Sequence, residues 1–287
     1  MPLPDRSWQR WLSTAISGAL LIAILTQLDR FGLARLHAAM PASLIFWVAF
    51  AAYYLALPAS EWVIFRRLWR LPIAGFGALL RKLVSNEVLM GYSGELAFYS
   101  WARRRSDLTA APFGAIKDVS ITSALAGNLV TLVMLMAAWP LMGSLHVGQH
   151  PREIGLSIGV ILAVSLLSAI FNRRLFSLPR DELRFVFTVH LLRLMATTLL
   201  SGLLWHSALP GVPLSLWVLL AALQLLVTRL PFVPNKDLVF AGIALFLVGH
   251  DSQVGELITL IATLILLTHL LIGGLLAIAD LLDTVKA

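Results

Sequence analysis

The sequence predicts an all-α fold: a polytopic bundle of seven to eight transmembrane helices, with a re-entrant hairpin and a second, broken helix. Three observations predict it. Of 287 residues, 59% are hydrophobic and only 13% charged, where soluble domains run nearer ~45–50% and ~25%. The apolar residues gather in charge-free runs close to the ~20 residues that a spanning helix requires. The basic residues gather on one side of those runs once the runs are taken as crossings. A soluble fold of this length could not hide so much apolar surface. A soluble enzyme, a disordered chain and a nucleic-acid-binding domain are therefore excluded. The chain has no cysteine, which removes disulfides, thiolate catalysis and Cys-ligated metals. Its formal charge of +7 is read as topology-setting cations that meet anionic lipid headgroups.

The runs follow in order. They are Leu12–Leu28, Ser43–Ser60, Val119–Trp139 (ended by Pro140), Ile154–Phe171, Phe185–Leu209, Gly211–Thr228 and Leu257–Ala279. Leu12–Leu28 follows a basic stretch with Arg6 and Arg10, as a signal peptide would. It is long for one, and no small-residue cleavage site follows it. Leu238–Gly249 is ~18 Å long as a helix, too short to cross a ~30 Å hydrocarbon core alone. With the N-terminus cytoplasmic, inside loops hold 17 Lys and Arg, including Lys82 and Lys236, and outside loops hold three, Arg30, Arg35 and Arg152. That asymmetry orients the bundle and suggests a bacterial inner membrane. The whole of 1–287 reads as a single membrane domain.

Leu83–Trp101 breaks the pattern. It has the length of a span, but Arg81 and Lys82 precede it and Arg103, Arg104 and Arg105 follow it. Crossing would put one cluster outside and invert every later loop. Gly91 and Gly94 bracket its midpoint, a turn signal inside an apolar run. The segment therefore reads as a re-entrant hairpin with two arms of seven to eight residues, ~11 Å each as helices. Glu87 and Glu95 lie in the arms. Carboxylates at membrane depth face a cavity or a partner, and irregular backbone there needs protein or water around it. The plainer alternative is an amphipathic hairpin lying in the headgroup region, both carboxylates paired with the nearby arginines. A second interruption is Arg229–Asp237, where Pro231 and Pro234 break the helix before the short run. Interrupted segments in both halves of a chain point to a transporter site; an ordinary tight loop is the alternative.

Asn86 followed by Gly94-Glu95, with Lys117-Asp118 opening a long apolar helix, resembles the membrane domain of the lysylphosphatidylglycerol synthase/flippase-like family. Its members show an Asn and then a Gly-Glu pair in a re-entrant element, a charged pair at the next helix, and later a Leu-Pro segment with an acidic residue. Here that segment is Leu230-Pro231-Phe232-Val233-Pro234-Asn235-Lys236-Asp237. The chain departs from the pattern in two places. Phe98 stands where an Arg tends to follow Gly-Glu, and Asn235-Lys236 replaces a Gly-rich stretch. The resemblance implies a lipid-handling membrane domain, and not lipid aminoacylation.

Other constellations weigh less. His146 and His150 are spaced i, i+4, as two metal ligands on a helix would be. But Gly143, Gly148 and Pro151 make that stretch a loop, and no third ligand is evident. His190 and Arg193 share a helix face. Arg193 is expensive in lipid and is expected to pair with Glu87, Glu95 or Asp118, or to bind a headgroup phosphate. Glu61 reads as an interfacial charge. Asn128 and His269 read as interhelical hydrogen-bonders. Trp8, Trp11 and Trp139 read as part of an interfacial belt.

The expected function is flippase-like transport of a phospholipid or lipid-linked glycan, with the headgroup moving through a polar path. The substrate-binding candidates are Asn86, Glu87, Gly94, Glu95, Lys117, Asp118, Arg193, Arg229, Lys236 and Asp237. No cofactor and no metal are expected. The expected partners are membrane lipids with anionic headgroups; a second copy or an envelope-biogenesis protein is the further candidate. One alternative is an integral membrane transferase with Glu95 or Asp118 as general base. Another is a non-catalytic scaffold in envelope biogenesis.

Overall fold

The computed structural model describes residues 40–104, 112–144, 176–230, 233–248 and 253–285. Among them there are eight α-helices and no strand. Four helices are long and apolar enough to cross a membrane, which marks an integral membrane protein. The runs Leu12–Leu28 and Ile154–Phe171, the pair His146 and His150, Trp8, Trp11, Arg105 and Pro231 lie outside the described residues.

Helix α1 is Leu44–Trp69, with Ser43 as its N-cap: the Ser43 hydroxyl accepts from Phe46 N at 3.5 Å. The left-handed Arg70 ends it at φ 54°, and Pro72 precedes α2, Ala74–Val88. Helix α3 is Ser93–Arg103. The turn lies where the glycines place it, but the arms of this hairpin are 15 and 11 residues rather than seven to eight. The apolar window had hidden the amphipathic first turns of α2. Helix α4 is Pro112–Ala138, continued by a 3-10 turn, Trp139–Ser144, once Pro140 can no longer donate. Helix α5 is Arg180–Ala208; Pro179 caps it, and Asp181 and Glu182 sit in its first turn, where the helix dipole favours anions. Helices α6, Leu214–Thr228, and α7, Lys236–Val248, flank the second interruption. Helix α8 is Gln253–Val285.

The run Gly211–Thr228 is helical over 15 residues, ~22 Å, shorter than a ~30 Å hydrocarbon core. With α7 it forms a second helical hairpin.

The two hairpins approach from opposite ends of the bundle. Arg66 and Arg67 close α1, and Arg67 Nε meets Glu182 Oε2 of α5 at 2.9 Å. Arg81 of α2 donates to Leu276 O, late in α8, at 2.7 Å. Phe98 of α3 packs on Phe65 and Trp69 of α1, ring centroids 4.9 and 6.0 Å apart. One basic end of the bundle thus gathers both the start and the return of the first hairpin. At the other end Trp205, late in α5, packs on Trp217 of α6 at 5.6 Å and on Phe240 of α7 at 6.1 Å. Phe46 of α1 and Val254 and Leu257 of α8 join the same apolar cluster. The second hairpin therefore starts from that end and returns to it.

Candidate functional site: a charged cavity where two hairpins meet

The tips of the hairpins touch. Asn235 N donates to Glu87 O at 2.8 Å, and Lys236 N to Glu87 Oε2 at 3.3 Å. The last turn of α2 thereby caps the first turn of α7, whose backbone N–H groups have no partner in their own helix.

The tip of the first hairpin is closed locally. Tyr92 takes the left-handed conformation at φ 72°. Ser93 Oγ donates to Ser85 O at 2.7 Å, and Gly94 N donates to Asn86 Oδ1 at 2.7 Å. A Cβ on Gly94 would stand 2.0 Å from the backbone oxygen of Lys82. Glycine is required there for the close approach of α3 to α2, while the left-handed residue is Tyr92.

Between the tips and the long helices lies a cavity of about 350 Å³. It falls at the middle of α1, between an apolar cluster around Phe46 and Phe50 and another around Ile64, Phe65 and Trp69. On α5 it spans Arg193 to Ser201, between Val186 and Leu204. Every one of the eight helices contributes to its wall.

Of the sequence-predicted residues, Asn86, Glu87, Glu95, Arg193, Arg229, Lys236 and Asp237 line this cavity. Gly94 acts one step back, through packing. Lys117 and Asp118 do not line it. Asp118 is fully buried and accepts from Ser177 N and Leu178 N at 2.6 and 2.7 Å, with Lys117 Nζ 3.2 Å away. It holds the approach to α5 against the start of α4.

Two charges missed at the sequence level stand at the centre. Glu61 is buried and ion-paired to Lys82 rather than interfacial, and Lys82 is buried too, rather than part of a cytoplasmic flank. Lys82 Nζ also lies 3.4 Å from Glu95 Oε1, which accepts from Ser120 Oγ at 3.5 Å. A signal existed: Tyr53, Leu57 and Glu61 are spaced i, i+4, i+8 and form one stripe of α1, all on the cavity. Lys82 and Asn86 are likewise i, i+4 on α2. Lys236, counted at the sequence level both with the inside loops and among the binding candidates, stands on the cavity wall. Its Nζ donates to Thr228 O at 3.1 Å.

The expected ion pair of Arg193 does not form. Its Nη2 donates to Ser123 Oγ at 3.4 Å, and no carboxylate pairs with it among the described residues. The hairpin carboxylates are already engaged by Lys82 and by the α7 N-terminus. Arg229 donates to Thr228 Oγ1 at 2.9 and 3.2 Å and lies directly over Gly127 of α4, where a Cβ would stand 1.7 Å from Nη1. His190 is fully buried and does not line the cavity. On the opposite wall His269 Nδ1 and Tyr54 OH lie 2.8 Å apart. Gln224 Nε2 bridges Tyr53 OH at 3.1 Å and Asp237 Oδ1 at 3.4 Å. Among the described residues no cluster of His, Cys, Asp or Glu is fit to hold a metal ion.

Set beside other proteins, the chain matches no family model, no curated protein and no solved structure.

Proposed function

We propose that the protein is a flippase-like transporter that passes a lipid headgroup through this cavity while the acyl chains stay in the bilayer. One observation carries the reading: two hairpins enter from opposite ends and close on each other around a charged cavity at mid-depth. Charges at that depth are expensive and mark substrate paths. Interrupted helices meeting near the midplane are a common build for transport sites. The cavity lies at the low end of the ~300–1,000 Å³ range of ligand pockets, room for a headgroup and not for a lipid.

In this reading the four long helices cross the membrane, both hairpins are re-entrant, and the basic end faces the cytoplasm. The natural absence of cysteine gives a clean background for testing it. Single cysteines at Arg81 and Arg103 should be labelled from one side only, and a cysteine at Gly211 from the other. Labelling of Arg81 and Arg103 from opposite sides would remove the first re-entrant hairpin.

Transport is tested in proteoliposomes with fluorescent lipids and a membrane-impermeant quencher. Quenching should proceed beyond the outer-leaflet half for at least one headgroup, and Glu95→Leu should abolish the excess. If folded protein moves no tested lipid faster than empty vesicles do, the reading fails.

A further inference from the structure

Four carboxylates and four cations line the cavity: Glu61, Glu87, Glu95 and Asp237 against Lys82, Arg193, Arg229 and Lys236. Formal charge cancels, but it is not evenly spread. Glu61 and Glu95 share the single cation Lys82. Glu87 and Asp237 sit about Lys236, whose ammonium donates to a backbone oxygen. Each group therefore holds one more carboxylate than cations. The two remaining cations, Arg193 and Arg229, hold hydroxyls and no carboxylate. Their charges repel one another. Arg193 Nε is buried with no hydrogen-bond partner, and so is Glu95 Oε2.

Two guanidiniums with no carboxylate paired to them in a shielded cavity are costly, and so is an excess of carboxylate. One ligand relieves both only if it carries both charges. We infer that the cavity seats a zwitterionic headgroup, a phosphodiester between Arg193 and Arg229 and a primary ammonium against the carboxylate excess at Glu95 and Glu87. The inference rests on the lipid-transport reading and narrows its substrate class. Guanidinium forks match phosphate oxygens two at a time. A primary ammonium offers three donors to carboxylate oxygens, where a quaternary amine offers none. An anionic headgroup without an amine would satisfy the arginines and leave the carboxylates unanswered.

The test uses the full chain in phosphatidylcholine nanodiscs, a quaternary background, with binding read by native mass spectrometry. The probes are dihexanoyl phosphatidylethanolamine, dihexanoyl phosphatidylglycerol and free phosphoethanolamine. The ethanolamine lipid should bind about tenfold tighter than the glycerol lipid, the loss expected for one charged hydrogen-bonded group. Arg229→Gln should loosen both lipids about tenfold, and Glu95→Gln only the ethanolamine lipid. Equal or tighter binding of the glycerol lipid by the unaltered protein overturns the inference, whatever the variants do. So does an Arg229→Gln protein of unchanged thermal midpoint that binds both as before. Free phosphoethanolamine binding as tightly as the lipid would support the site while removing the lipid as its ligand. Retained ethanolamine-lipid binding without translocation would sink the transport reading alone.

Discussion

The two hairpins are built differently. The α2–α3 hairpin closes on itself: Asn86 and Ser93 tie its tip, Gly94 lets its arms touch, and Lys82 anchors it to Glu61 across α1. The α6–α7 hairpin is tied internally by Lys236 Nζ to Thr228 O and Gln224 Nε2 to Asp237 Oδ1, but leans further on its surroundings. Its tip hangs on Glu87 of the first hairpin, and Arg229 rests on α4. The first is a local unit that arranges a site. The second is seated on it through its tip.

The comparison breaks most sharply at the two lysines. Lys82→Met should cost about 3–5 kcal/mol, because it strands two carboxylates in a buried site. Lys236→Met should cost less, about 1–2 kcal/mol, because Glu87 and Asp237 lose a nearby cation but neither is ion-paired to it, and its half-buried ammonium donates to Thr228 O. Thermal unfolding of the two variants in one detergent reads the difference; equal losses would erase the contrast.

Gly94→Ala comes next, at about 1–3 kcal/mol or more, because the added methyl meets the Lys82 backbone oxygen rather than a movable side chain. The same change at Gly242 of α7, with open space around it, should be neutral or slightly stabilising.

Asn86→Ala should cost about 1–2 kcal/mol by removing the acceptor of Gly94 N. Hydrogen exchange should then quicken at residues 89–95 and leave α6 unchanged. Parallel quickening in both hairpins would mean that they unfold as one unit.

Much of this was legible from the chain. Hydrophobic runs of spanning length, their terminating prolines and the lopsided arginines determine a helical membrane bundle, because lipid admits only internally hydrogen-bonded helices or closed barrels. The turn at Gly91–Gly94 and the break at Pro234 were visible because both interrupt an apolar run. Glu87, Glu95, Arg193 and Arg229 stood out because charge at membrane depth needs a reason.

Tertiary structure alone decided the rest. That Glu61 and Lys82 are partners follows from packing α1 on α2, and their flanks in sequence made each look interfacial. That Asp118 pins a backbone rather than facing the cavity depends on where residues 177 and 178 come to lie. That the two interruptions meet at Glu87 and Asn235 depends on the opposite entry of the hairpins, which no local periodicity encodes. A helical pattern reports which face of a segment is apolar. It does not report which segment that face meets, because the contacts that choose the partner join residues as far apart as Tyr54 and His269.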